Sequence, residues 1–184
     1  GRQTTLRMEL EIVKEYIALQ QMRYDFIIEM NIEDGSYLDQ PTVRMLFQPL
    51  VENAIRYGLG DDEKISIQVF EDVARHLAVV TISDSGKGLN QEEIDEINQP
   101  FDYDWGYWKN ENRGIGLRYV KAMLESFYDG QTSLFVNSKK GFGTRITILL
   151  PVREPEEKKE KDKDKEVTLE ENKVGQTDER IDCR

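Results

Sequence analysis

Cysteine and histidine are almost missing, one of each among 184 residues. Cys183 has no intrachain partner for a disulfide, and no Cys/His cluster exists to build a zinc site. With His76 as the sole imidazole and no G-x-S-x-G context, a Ser-His-Asp or Cys-His relay has no support. Positive charge is also short. The 25 Lys and Arg face 36 Asp and Glu, a net of −11, which disfavours nucleic acid and anionic membrane surfaces as partners. The longest apolar run, Leu77 to Ile82, is interrupted by Thr81 and falls far short of the roughly 20 residues that cross a bilayer. With neither signal peptide nor initiator Met, the expectation is a cytosolic piece of a longer chain. What is left is oxygen chemistry, or a metal held by carboxylates and amides.

The hydrophobic period organises what is there. Leu6, Leu10, Val13, Ile17 and Tyr24 form a helical seam, widened by Ile12, Tyr16 and Leu19, and predict a helix over residues 1–24 that packs on its own domain or in a dimeric bundle. From Phe26 to Ile32 the period is two, a half-buried strand ended by Asp34-Gly35. A helix is expected next, with Pro41 in its first turn and a stripe from Val43 to Ile55, stopped at Gly58 and Gly60. Ile65, Ile67 and Val69, then Leu77, Val79 and Thr81, alternate in two strands that read as a hairpin turning through Arg75. A short acidic helix from Gln91 to Ile97, a helix opening at Gly114-Ile115-Gly116 and two last strands, Ser133 to Val136 and Thr144 to Leu150, complete an α+β two-layer sandwich of helices on antiparallel strands. Residues 153–184 are a charged tail, 12 acidic and 8 basic from Glu154 onward, too poor in apolar side chains to offset ordering entropy and expected to be disordered.

Four motifs carry the chemistry: Glu52-Asn53-Ala54-Ile55-Arg56-Tyr57-Gly58, Asp84-Ser85-Gly86-Lys87-Gly88, Arg113-Gly114-Ile115-Gly116-Leu117, and Gly141-Phe142-Gly143-Thr144. Each alone could be an ordinary turn or helix start. Other glycine templates fail on spacing. A dinucleotide fingerprint from Gly114 meets Tyr119 where it needs glycine, and a P-loop needs Ser or Thr where Gly88 follows Lys87. An EF-hand begun at Asp84 has Leu89 where its glycine belongs.

In this order the motifs resemble the N box and the successive glycine boxes of the Bergerat-type ATP site. The chain resembles the catalytic ATP-binding domain of sensor histidine kinases over roughly residues 6–151. Q-P-L-V-E-N-A-I, with E-Y-I-A-L-Q-Q-M-R-Y upstream, is most similar to the LytS/YesM-like branch. The resemblance implies ATP and Mg2+ as cofactors and a catalytic domain over residues 25–152. Residues 1–24 would then be the end of the dimerisation and phosphotransfer bundle, or the linker from it.

For the site, the resemblance implies that the Asp84 carboxylate accepts from the adenine amino group, with Gly86 and Gly88 letting backbone approach the ring and Thr144 helping the base through a shared water. Gly114, Ile115, Gly116 and Leu117 open a helix whose free N–H groups face phosphate, with Arg113 and Arg56 as nearby cations. Arg56 stands where the family usually has Lys. Asn53 would hold Mg2+ through its amide oxygen, and Tyr57 would pack against the nucleotide.

Two departures accompany the likeness. Tyr57 stands where the branch usually has His, and Pro49 where gyrase-type ATPases place a water-activating Glu. The second favours phosphoryl transfer over hydrolysis. Asn98 to Asn112, holding Phe101, Tyr103, Trp105, Tyr107 and Trp108, reads as a lid, with Phe101 similar to the phenylalanine box. His76 lies in a hairpin turn and is not expected to accept phosphate, so the acceptor His would lie on a helical domain outside this sequence. The implied parent is a membrane-anchored homodimer passing phosphate to a response regulator. The alternatives are a gyrase- or chaperone-type ATPase, a protein-serine kinase, or a non-catalytic ATP-sensing module.

Overall fold

The computed structural model describes residues 4–59, 64–98 and 115–153, excepting the side chain of Ile115. In chain order the elements are β1 (Thr4–Thr5), α1 (Leu6–Gln21), β2 (Ile27–Ile32), a 3-10 turn (Ser36–Asp39), β3 (Pro41–Thr42), α2 (Gln48–Tyr57), β4 (Lys64–Asp72), β5 (Leu77–Asp84), α3 (Gln91–Asn98), α4 (Ile115–Phe127), β6 (Ser133–Lys139) and β7 (Gly143–Pro151). The chain divides after Val152, and the charged tail from Glu154 lies outside the described residues.

Five strands form one sheet in the order β2-β4-β5-β7-β6, and β1 and β3 form a separate two-residue pair. The sheet is mixed. Strand β2 runs parallel to β4, with Ile27 opposite Lys64 and Ile32 opposite Val69, and the other pairs are antiparallel. This corrects the all-antiparallel expectation. Between β2 and β4 the chain makes α2, and a crossover through a helix returns the next strand in the same direction, where a tight turn would have reversed it.

The core lies between the sheet and the helices. Ile65, Ile67 and Val69 of β4, with Ala78, Val80 and Ile82 of β5, are buried beneath Leu50 and Val51 of α2 and Val120 and Leu124 of α4. The same core takes one face of α1, where Leu6, Leu10, Val13 and Ile17 are buried. Thr5 caps that helix, its hydroxyl accepting from the Met8 N–H at 3.2 Å. The seam stops a turn earlier than its spacing indicates: α1 ends at Gln21, and Tyr24 lies 45% exposed beyond it. Of the widening stripe, Tyr16 packs against the core while Ile12 and Leu19 remain exposed.

Helix α2 also begins later than expected, with Pro49 rather than Pro41 in its first turn. Pro41 instead pairs with Thr5. Met45 takes a left-handed backbone, φ 57, which no helix passes through, so the buried Val43, Leu46 and Phe47 reach the core from a non-helical segment. What fixes that segment is Glu9 of α1. Its buried carboxylate accepts from the Leu46 N–H at 3.1 Å and the Thr4 hydroxyl at 3.0 Å. Glu9→Leu keeps the bulk but leaves the buried Leu46 N–H and Thr4 hydroxyl without their acceptor. We expect it to cost about 1–3 kcal/mol, read as a lower urea midpoint at unchanged m-value.

Candidate functional site

The N-terminal end of α4, the side of α2 that carries Leu50, Asn53, Ala54 and Tyr57, and the Asp84 end of β5 enclose a pocket with about 600 Å3 of empty volume, part of it open to solvent. Its walls are apolar. Ile82 and Ile146 come from the sheet, Leu50 and Ala54 from α2, and Leu117 from α4. Leu89 and Ile97 close another side, held there by a reciprocal cap in which the Asn90 side chain accepts from the Glu93 N–H and the Glu93 carboxylate from the Asn90 N–H, both at 2.9 Å.

Within this apolar frame stand Asn53, Tyr57, Asp84, Lys87 and Thr144. Three of the four motifs thus supply polar residues to one cavity. Asp84 ends β5 opposite Thr144 of β7. Its Oδ1 accepts two backbone N–H groups, from Gly86 at 3.0 Å and Thr144 at 3.2 Å, while no described residue donates to Oδ2. Burial pushes the Asp84 carboxyl above its ordinary value, and the Gly86 and Thr144 N–H bonds pull in the opposite direction. A half-satisfied carboxylate in an apolar pocket is suited to accept from a polar hydrogen on a flat, otherwise apolar ligand. The Thr144 hydroxyl lies 2.9 Å from Ser138 Oγ, which also accepts from the Leu89 N–H at 2.8 Å.

Several expectations change. Gly86 and Gly88 are needed for protein packing: a Cβ on Gly86 would lie 2.5 Å from Gly58 backbone, and one on Gly88 2.1 Å from the Lys139 carbonyl oxygen. Gly88 still lines the pocket, whereas Gly86 does not. Arg56 does not line the pocket, yet it stays beside it: 59% exposed, it pairs with Glu52 at 2.7 Å one helical turn back and interacts with the side chain of the pocket residue Tyr57. Residues four apart are neighbours on a helix surface, which is why Glu52 and Arg56 pair there. Gly116 contributes through closeness, since a Cβ there would lie 3.3 Å from Pro49 Cβ and 3.6 Å from Asn53 Nδ2, so α4 rests on α2 at the magnesium candidate. Leu117 lines the wall as an apolar side chain. Ile115 begins α4, but its side chain, Arg113, Gly114 and the aromatic stretch with Phe101 lie outside the described residues.

Two residues were missed. Lys87 lies inside the Asp84–Gly88 motif and was visible as a cation. Ser138 had no local signal, because only the β6–β7 register brings it opposite Thr144.

Comparison with known proteins agrees with this geometry. Residues 38–154 match the family model described as histidine kinase-, DNA gyrase B-, and HSP90-like ATPase. The sensor protein kinase HptS of Staphylococcus aureus is 30% identical over 148 residues, 80% of this chain but 28% of its own length. The chain therefore spans little more than a quarter of that curated relative. Among solved structures, the nucleotide-free catalytic domain of the histidine kinase ThkA has a TM-score of 0.60 at 17% identity, covering 82% of this chain and 95% of that one. The mycobacterial sensor histidine kinase MprB has a TM-score of 0.56 at 18% identity, covering 84% and 99%. At those identities the structures establish the fold. The family match over most of the chain establishes descent: the protein belongs to the histidine kinase-, DNA gyrase B- and HSP90-like ATPase family and is homologous to a sensor histidine kinase.

Proposed function

We propose that this chain is the ATP-binding catalytic domain of a sensor histidine kinase of the LytS/YesM-like branch, binding Mg-ATP and passing the γ-phosphoryl to a histidine of the same kinase outside this sequence. The observation that carries it is Asp84, whose Oδ1 is tied to backbone and whose Oδ2 is left for a ligand in an otherwise apolar pocket. On this reading Oδ2 accepts from the adenine amino group, Thr144 and Ser138 hold a water beside the ring, and Tyr57 flanks the base. The α4 terminus at Gly116 directs free N–H groups toward the phosphates.

Mg2+ fits the donors available. Among the described residues no three His, Cys, Asp or Glu side chains gather to hold a metal by themselves. An ion at Asn53 is therefore one that arrives with the phosphates, with the amide oxygen as one hard ligand among phosphate and water oxygens. When bound, it offsets the phosphate charge that a chain of net −11 repels.

His76 caps the 3-10 turn between β4 and β5 with a left-handed backbone, φ 54. That is no place for an acceptor presented on a bundle helix. At the position four before Asn53, Pro49 offers no base for water, which supports transfer over hydrolysis. We read residues 1–24 as the connection to the phosphotransfer helices, 25–152 as the catalytic domain and 153–184 as a tail. Dimerisation, a response-regulator partner and membrane anchorage belong to the intact protein on the same proposal. Among the described residues no helix is long and apolar enough to cross a membrane.

The test is titration with a non-hydrolysable ATP analogue, with and without Mg2+. Saturable Mg2+-enhanced binding without steady ATP turnover is expected. Absence of binding would leave a degenerate module that kept the fold without the nucleotide, and steady turnover would leave a hydrolytic ATPase. Asn53→Ala should remove the Mg2+-dependent gain, about tenfold in Kd, and leave adenosine binding in place.

A further inference from the structure

Whatever anion enters the pocket needs a cation, and the resemblance pointed to Arg56 and Arg113. Arg56 does not line the pocket; it is exposed on α2, where it pairs with Glu52 and interacts with the Tyr57 side chain. Other basic side chains near the site are also engaged: Arg145 donates to Ser83 at 3.2 Å, and Lys139 lies over the Phe142 ring at 4.7 Å. Among the described residues one cation lines the pocket, Lys87.

Its place is built rather than incidental. The Gly141 N–H donates to the Lys87 carbonyl at 2.7 Å, and Gly88, in the left-handed region at φ 65, fits against the Lys139 carbonyl where no side chain could. Both contacts pin the Asp84–Gly88 turn to the β6–β7 hairpin, so the Lys87 backbone is fixed while its side chain extends freely. The ammonium lies 5.9 Å from the centroid of the Tyr57 ring. That separation is at the outer limit of a cation–π contact, and Lys87 is exposed, so the contact is weak. A phosphate oxygen offers a charge-assisted hydrogen bond in its place, which is the stronger interaction.

We propose that Lys87 is the residue that recognises the phosphate chain of a bound nucleoside di- or triphosphate, its ammonium leaving the Tyr57 ring to pair with phosphate oxygens. This rests on the nucleotide reading of the pocket and adds the source of its discrimination between a nucleotide and its nucleoside. The turn that places Asp84 against the base thereby also places a cation against the phosphates, so base and phosphate recognition share one pinned segment.

Calorimetric titration of ATP, ADP and adenosine, with Mg2+, into the wild type, Lys87→Met, Lys87→Arg and Arg56→Gln tests this. Met keeps the length of the side chain without its charge at an exposed position, and a thermal melt checks that the fold is retained. Lys87→Met is expected to weaken ATP and ADP about tenfold and to leave adenosine within about twofold. Lys87→Arg should restore ATP to within about threefold of the wild type, and Arg56→Gln should change ATP less than Lys87→Met does. Unchanged ATP affinity in Lys87→Met, a parallel loss of ATP and adenosine, or a larger loss in Arg56→Gln would overturn the assignment while leaving the nucleotide site intact. A wild type that binds neither ATP nor adenosine would instead overturn the nucleotide reading, and Lys87's role with it.

Discussion

Asp84→Asn should abolish useful ATP binding without harming the fold. The isosteric amide can keep its oxygen toward the Gly86 and Thr144 N–H groups, which now both bond to Oδ1. Its NH2 then occupies the place of Oδ2 and presents donors to the adenine amino group, donor against donor. A lost hydrogen bond to a charged acceptor, with the ligand's donor left unpaired in a buried site, amounts to about a hundredfold in Kd. Stability should hold or rise. The fold raises the Asp84 carboxyl above its ordinary value of 3.8, so the folded state binds that proton more tightly than the unfolded chain and the ionised form at neutral pH is a cost. Removing the charge removes the cost. A thermal melt equal to or above the wild type, beside a titration with no saturable ATP binding, is the expected pair of results. A lower melt would show that Asp84 is a structural residue first.

The same raised carboxyl sets a pH dependence. Accepting from the base requires the carboxylate to be ionised, so ATP affinity should fall with pH through a value above 3.8. Folding responds in the opposite sense over that window: protonation of Asp84 favours the folded state, because the native value is the higher one. Loss of ligand with no loss of fold on acidification to that range separates this group from paired carboxylates such as Asp39, which Arg7 holds below the ordinary range by hydrogen bonding.

How far the sequence predicts these features depends on how local their causes are. Helix α1 was readable because Leu6, Leu10, Val13 and Ile17 repeat at helical spacing and all four are buried. Strand β5 was visible as a strand, but its alternation in Leu77, Val79 and Thr81 marks the less buried face; Leu77 to Ile82 is largely apolar on both sides, Ala78, Val80 and Ile82 are the buried set, and only pairing with β4 and β7 decides that. The false start of α2 at Pro41 has a remote cause, because Met45 is held in its left-handed conformation beside a Leu46 N–H that bonds to Glu9, 37 residues earlier. At the site, ordered motifs located Asn53, Tyr57, Asp84, Gly88, Leu117 and Thr144 on one pocket. Side-chain direction was not legible. Arg56 and Lys87 are both cations inside recognised motifs, but only Lys87, presented by a pinned turn, lines the pocket, while Arg56 lies outside the lining between Glu52 and Tyr57.

Gly143→Ala should be strongly damaging beside the site, and Gly130→Ala shows why. Both glycines have left-handed backbones, φ 89 and φ 74, so an alanine at either carries the conformational cost of about 1–2 kcal/mol. At Gly130 a Cβ meets nothing within 4 Å, and that cost is the whole effect. At Gly143 the Cβ would lie 2.0 Å from the Asp84 carbonyl oxygen and 2.9 Å from Ser85 Cα. Backbone must move, and it is backbone the sheet holds in place, with Asp84 opposite Thr144 and the Thr144 N–H on the Asp84 side chain. Adding an overpacking penalty brings the expected loss to about 4 kcal/mol. Whatever fraction remains folded must have separated β7 from the Asp84 end of β5, which pulls Thr144 away from the carboxylate it helps to orient. Urea unfolding of the two variants in parallel, followed by ATP titration under conditions where each is folded, checks both parts. A Gly143→Ala protein as stable as Gly130→Ala, with ATP binding intact, would mean that β5 and β7 yield at this point and that the close approach does not hold the pocket together.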